Sequence, residues 1–276
     1  CYLNYACELL QRITTEHAQS GNVTYHLRDS EGKDRCNGLI GQAWVLEALL
    51  LAFETAEEDA YFKRAVQLFS AHKFSSEQGL WEITEIDGKF CGFDPTFNHQ
   101  LWFALAASPL RLVLPEAERQ LGQFTAKLHQ NLTVLKNGLI FHPIDRSLNR
   151  KMSKRAVLVK RLKDKTLSPA HLKRRLSGDL NYQKLLYFSY GYHLFNMYAF
   201  VGLRDVLPAR NMKWLKKSFQ LLERDEFWKA VDGNDFSYPY NAPGFELPLV
   251  YEFFPKYVSE QRLEWVWKQQ IRKSFS

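Results

Sequence analysis

Methionine and cysteine are scarce in this chain: three Met and four Cys in 276 residues. Cys1, Cys7, Cys36 and Cys91 form no CxxC pair, and no Cys/His cluster has zinc-site spacing. The cysteines therefore read as reduced and mostly buried thiols, and neither a metal nor a cofactor is expected. No nucleophilic triad and no glycine-rich phosphate loop is visible. No apolar run approaches a membrane span, and no signal peptide opens the chain. Reduced thiols without a visible signal point to a cytoplasmic or membrane-peripheral location. An initiator Met is also missing, as in a trimmed or processed form, from which any localisation signal would be lost too.

Acidic residues are in deficit, but only locally. The net charge of +7 comes from residues 145–175, which hold twelve Lys/Arg against two Asp/Glu, a net of +10; the remainder carries −3. A high isoelectric point produced by one segment does not describe a general nucleic-acid binder. The basic residues recur in pairs, among them Arg150-Lys151, Lys154-Arg155 and Lys160-Arg161. Such a segment suits an arm gripping an anionic glycan, adhesion to an acidic membrane surface or, as a third reading, nucleic acid; the plain alternative is a solvated insertion without a partner.

Apolar residues make up 46% of the chain and aromatics 14%, enough for a sizeable core. Trp44 and Trp81 are candidate platforms for a sugar ring, although core packing accounts for a tryptophan as readily. An amphipathic helix is expected over 2–18, then a polar stretch over 21–34 with strand-like residues 23–27. A nearly apolar helix follows from Gly38, and a mixed-face helix over 61–72 ends at a turn or short strand, Gly79-Leu80-Trp81-Glu82. The cycle repeats with a buried helix at 97–108, a charged helix over 116–131 and the turn Asn137-Gly138-Leu139-Ile140. After the basic segment come a buried helix at 189–200, a polar helix over 212–223, an irregular proline-rich stretch, an apolar helix over 249–254 and a closing amphipathic helix. Apolar helices thus begin near 38, 97, 189 and 243. With an insertion at about 142–184 set aside, the spacing is that of stacked helical hairpins, buried helices inside and amphipathic ones outside. The expectation is an all-α single domain over residues 1–276, an (α/α) toroid of helical hairpins interrupted by a basic insertion.

The Asn98-His99 opening of an aromatic, Ala-rich helix resembles the inner-helix start of alginate-lyase-type enzymes. Residues 191–196 (Gly-Tyr-His-Leu-Phe-Asn) and 238–246 (Tyr-Pro-Tyr-Asn-Ala-Pro-Gly-Phe-Glu) resemble segments of the glucuronyl C5-epimerase helical domain and of toroid proteins from surface-glycan clusters. At the level of architecture the likeness extends to unsaturated glucuronyl hydrolases and covers most of the chain. It departs from them in showing four inner helices where a full toroid has six, which leaves open whether the ring is complete.

What the resemblance implies is an enzyme acting on an anionic, uronate-containing glycan, with its site at the N-terminal ends of the inner helices. The polar residues there are Asn37, Asp94, Asn98, His99, Gln100, Tyr190, Tyr192, His193, Asn196, Tyr238, Tyr240, Asn241 and Glu246. Each has a plainer use as a cap or a satisfied core group. Asp94-Pro95-Thr96 carries the start signals of the 97–108 helix, with Asp94 as candidate N-cap. In chemical terms, Asn98 and His99 could bind or neutralise the uronate carboxylate, and Tyr192, Tyr240 or His193 could then act as base and acid at C5. A hydrolase would call on Asp94 and Glu246 as its acids. Lyase, epimerase and hydrolase all remain open, as does a non-catalytic helical scaffold that binds an acidic partner through the basic arm.

Overall fold

The computed structural model describes residues 2–144, 181–238 and 240–274. The basic segment 145–175 lies outside them, and so does most of the insertion expected over 142–184. Two units emerge from the described chain, Cys1–Lys127 with Gly202–Pro208 and Leu128–Val201 with Ala209–Ser276.

The first unit contains α1 (Tyr2–Ser20), α2 (Gly38–Ala56), α3 (Asp59–Ala71), three strands, α4 (Phe97–Ala107) and most of α5 (Pro115–Asn131). Its centre is α2 packed on α4 and α3. Being apolar nearly all round, α2 buries eleven of its 19 residues. It is long and apolar enough, by length and composition, to cross a membrane, contrary to expectation; half of its most apolar stretch is buried in the fold, as in a core helix. The core is dense in aromatics: Trp81, Phe69, Phe97, Phe103 and Phe124 are fully buried.

The fold is largely helical, as expected, but it also holds an antiparallel sheet of order β1-β2-β3 (β1, Phe74–Ser75; β2, Leu80–Thr84; β3, Phe90–Phe93). Phe74 pairs with Trp81, and Glu82 with Phe93. Residues 23–27 join no strand. The β2–β3 hairpin was missed because β3 has neither a clean alternation nor a β-branched residue.

The second unit holds helical residues 181–191 (α6), α7 (His193–Gly202, of which Gly202 belongs to the first unit), α8 (Ala209–Leu221), α9 (Asp225–Val231), α10 (Pro243–Phe253) and α11 (Glu260–Ser274). The helix expected at 189–200 is interrupted by a turn at Tyr192. The last apolar helix begins at Pro243, where the fourth apolar start is expected, with a proline in its first turn and Pro248 inside it.

In both units a buried polar side chain ties a helix to the chain that precedes it. Gln42 of α2 accepts from the Tyr25 amide at 2.9 Å and donates to the Tyr25 carbonyl at 2.9 Å. Gln100 of α4 treats Trp81 likewise, at 2.9 and 2.7 Å. In the second unit His193 Nδ1 accepts from the Ile140 amide at 3.3 Å, while Nε2 donates to the Ser218 carbonyl at 3.1 Å. Trp81 and Ile140 occupy the same place in the two Gly-Leu-X turns, and Gly79 and Gly138 both have positive φ, 65° and 100°. At Gly138 a Cβ would stand 2.2 Å from the Lys217 carbonyl oxygen, so only glycine fits.

Two predictions follow from these anchors. Gln100→Ala strips the buried Trp81 peptide of both partners and should cost roughly 3 kcal/mol in denaturant unfolding. Burial holds His72 and His193 down at about 4, against 6.5 for a free imidazole. The unfolded chain therefore takes up protons that the fold refuses. Stability is full above pH 6.5 and falls as the pH drops from there towards 4, by roughly 2–4 kcal/mol per histidine. His193→Gln keeps an acceptor for Ile140 and removes one titration, so its stability measured from pH 7 to 4 should fall less steeply than that of the parent.

Candidate functional site

The start of α2 has no cap of its own. Asn37, its N-cap residue, is left-handed (φ 58°) and makes no side-chain cap. Two carboxylates from elsewhere take its first amides: Asp34 Oδ1 accepts from Gly38 at 2.6 Å, and Asp94 Oδ2 accepts from Leu39 at 3.2 Å. Both anions sit where the helix dipole favours them. Asp94, read from sequence as the cap of α4, thus serves α2; at α4 the N-cap position falls to Thr96, whose amide Asp94 Oδ1 accepts at 3.0 Å.

The same Asp94 Oδ2 accepts from His99 Nδ1 at 2.8 Å. The Asp94 side chain is 2% exposed and that of His99 27% exposed, so a buried carboxylate backs an imidazole that reaches solvent. Burial alone would raise the Asp94 carboxyl. The hydrogen bond and charge of His99, with the Thr96 and Leu39 amides, outweigh burial and hold it below the usual aspartate range. The other ring nitrogen, Nε2, is hydrogen-bonded to none of the described residues. Gly38 allows this approach: a Cβ there would lie 2.8 Å from Asp94 Oδ2 and 3.3 Å from His99 Nδ1.

Beside the dyad, Arg28 pairs with Asp34 at 2.5 Å and donates to Asn37 Oδ1 at 2.8 Å. Glu85, in the β2–β3 turn, accepts from the Arg35 and Cys36 amides and so ties down the loop entering α2. The Cys36 thiol is buried, donates to Asp34 and is pushed well up, first by burial, so it stays protonated. Cys7, Cys36 and Cys91 are all free.

Other predicted residues in this unit lie deeper. Gln100 is fully buried and committed to Trp81, and Trp81 is enclosed, its Nε1 donating to Gln120 at 2.6 Å. Asn98 is 2% exposed, and its Oδ1 accepts from none of the described residues. Trp44 stands exposed on α2.

In the second unit Tyr192 stacks on His142 at 5.1 Å, lies against Phe236 and meets Tyr240 edge-on at 6.4 Å. Burial, then the Tyr240 hydroxyl, pushes the Tyr192 phenol up, so it remains protonated at neutral pH and is a poor base. Tyr240 is 62% exposed. His193 is fully buried with both ring nitrogens taken, and Asn241 is spent on the carbonyls of Phe236 and Gly191. Tyr190 accepts from Asn137 at 3.3 Å. Asn196 is buried, Tyr238 lies under the Lys273 ammonium, and burial raises the Glu246 carboxyl to about 8, which keeps it protonated at pH 7.

A curated relative decides the family. Archaeal glycosylation protein Q of Haloferax volcanii is 34% identical over 274 residues, which cover 98% of this chain and 73% of that protein. The chain belongs to the family of that protein. Neither a family model nor a solved structure matches it.

Within this family member, Arg28, Asp34, Gly38 and Glu85 are the neighbours of the dyad that residue type alone did not single out. The available signal was an acid and a base six residues apart in the polar stretch before a buried helix. Asp94→Asn should destabilise the protein by about 1–3 kcal/mol at pH 7. Because the folded carboxyl is depressed, its contribution is complete above the ordinary aspartate value of about 4 and fades as the pH falls below it. The gap between the two melting curves should close over that acid range.

Proposed function

We propose that this chain is a carbohydrate-active enzyme with a role in glycosylation, acting on an anionic, uronate-containing glycan by proton transfer at His99. The observation that carries the reading is the buried Asp94 behind a solvent-reaching His99 whose Nε2 has no partner among the described residues. A carboxylate so placed fixes the imidazole tautomer and stabilises the imidazolium that forms when Nε2 takes a proton. The relative's name, a glycosylation protein, supports the glycan part. Stacked hairpins closing into an (α/α) toroid are part of the same proposal, as is a grip on the glycan's anionic groups by residues 145–175.

A uronate carboxylate acidifies the C5 proton beside it. His99 Nε2 removes that proton. Expulsion of the C4 substituent then gives a 4,5-unsaturated uronate, whereas return of a proton on the opposite face gives the C5 epimer. Arg28, paired with Asp34 at the same helix start, is the cation that would meet the charge. A hydrolase is the weaker reading, because Asp94 has both oxygens engaged and no free edge for a glycosidic oxygen. In the second unit, the exposed Tyr240 ring beside Tyr192 suits stacking against a sugar.

The test is incubation with a panel of uronic-acid oligosaccharides in deuterated water, followed by NMR. A 4,5-unsaturated product identifies a lyase, and deuterium at C5 without cleavage identifies an epimerase. His99→Ala should lower either rate by about 10²-fold or more with the fold intact, and Asp94→Asn by about 10-fold or more. Saturated reducing ends, or activity indifferent to His99→Ala, would overturn the reading; silence across the panel together with glycan binding lost on charge reversal of the basic pairs would favour a scaffold.

A further inference from the structure

The first unit holds a cavity that shares no residue with the Asp94–His99 dyad. Its volume is about 480 Å³, within the range that accommodates a sugar. It lies between α1, α3 and the chain around residues 22–25, and its lining includes His17, Asn22, Tyr25, Arg64, Gln67 and Ser70, with no acidic residue.

Two features make it a site rather than a gap. Arg64 forms no ion pair with any described residue, whereas Arg28 and Arg119 are paired with carboxylates and so are not available to an anion. Tyr25 is 3% exposed, yet its hydroxyl has no hydrogen-bond partner among the described residues. A buried hydroxyl left unpaired is costly, and a ligand acceptor would satisfy it. Its ring is held by the Gln42 clasp on its backbone and by the His17 imidazole, stacked at 3.9 Å and 17°. The charge of Arg64 is felt by both rings: after burial, it further disfavours protonation of His17, and it partly offsets the effect of burial on Tyr25. An unpaired guanidinium next to a neutral imidazole and an orphan hydroxyl is complementary to an oxyanion. Asn22, Gln67 and Ser70 add short polar side chains of the kind that meet sugar hydroxyls.

We propose that this cavity binds the oxyanion of an acidic sugar, either the carboxylate of a uronate or the phosphate of a sugar phosphate, with Arg64 holding the anion and the Tyr25 hydroxyl donating to it. The oxyanion part stands on Arg64 and Tyr25 alone; the sugar part rests on the glycan reading above.

Isothermal titration of the whole chain with glucuronate, glucose 1-phosphate, inorganic phosphate and glucose tests both parts. Glucuronate or glucose 1-phosphate should bind, and whichever binds tighter identifies the anion; glucose should bind at least ten-fold more weakly. Arg64→Gln should weaken the charged sugar ten-fold or more, Arg64→Lys less, and Tyr25→Phe several-fold, with circular dichroism and melting temperature confirming that each variant is folded. A failed activity panel with intact, Arg64-dependent binding would count against the proton-transfer reading alone. No binding of either charged sugar, or binding indifferent to Arg64→Gln, would overturn the proposal. Inorganic phosphate binding as tightly as glucose 1-phosphate would overturn its sugar part.

Discussion

The first turn of α2 is where the candidate site is decided. A helix buried on most sides must find partners for its opening amides, and its own N-cap residue offers none. Asp34 and Asp94 supply them from two different loops. Asp94 could not leave this position without exposing a buried amide, and while it stays, it fixes His99. One carboxylate therefore closes a helix end and aims an imidazole. The glycine at position 38 is what lets the three groups come together.

Much of the helical plan was legible in the chain, for identifiable reasons. The apolar stretches after Gly38 and Phe97 are long and unbroken, so their burial was readable. The likeness of the two Gly-Leu-X turns was readable as well, and both glycines have positive φ. The β2–β3 hairpin was not, because its second strand is Phe90–Phe93, four exposed residues with no polar alternation. Nor was the capping of α2 by Asp94, since it joins positions that only the tertiary fold brings together. Sequence proximity pointed to α4, the helix that Asp94 immediately precedes.

Residue type was a poorer guide to the site than to the fold. Gln100 and His193 have side chains suited to binding and catalysis, yet each is fully buried and bonded to backbone. The chemistry of a histidine depends on what its nitrogens already hold. His193 has both committed and stays neutral well below its usual range. His99 has one committed to a carboxylate and one without a partner among the described residues. That difference cannot be read from two histidines that both sit at the start of an aromatic helix.

The distance along the chain between Leu39 and Asp94 bears on how the protein folds. They are 55 residues apart, and the contact forms only after α3 and the whole β-sheet have been traversed. Closing so large a loop costs entropy before the hydrogen bond returns anything. A chain emerging from the ribosome can wind α2 early, but its first turn stays uncapped until residue 94 arrives. The capped geometry at His99 thus waits on a long-range contact, and any nascent fragment ending before β3 lacks it altogether.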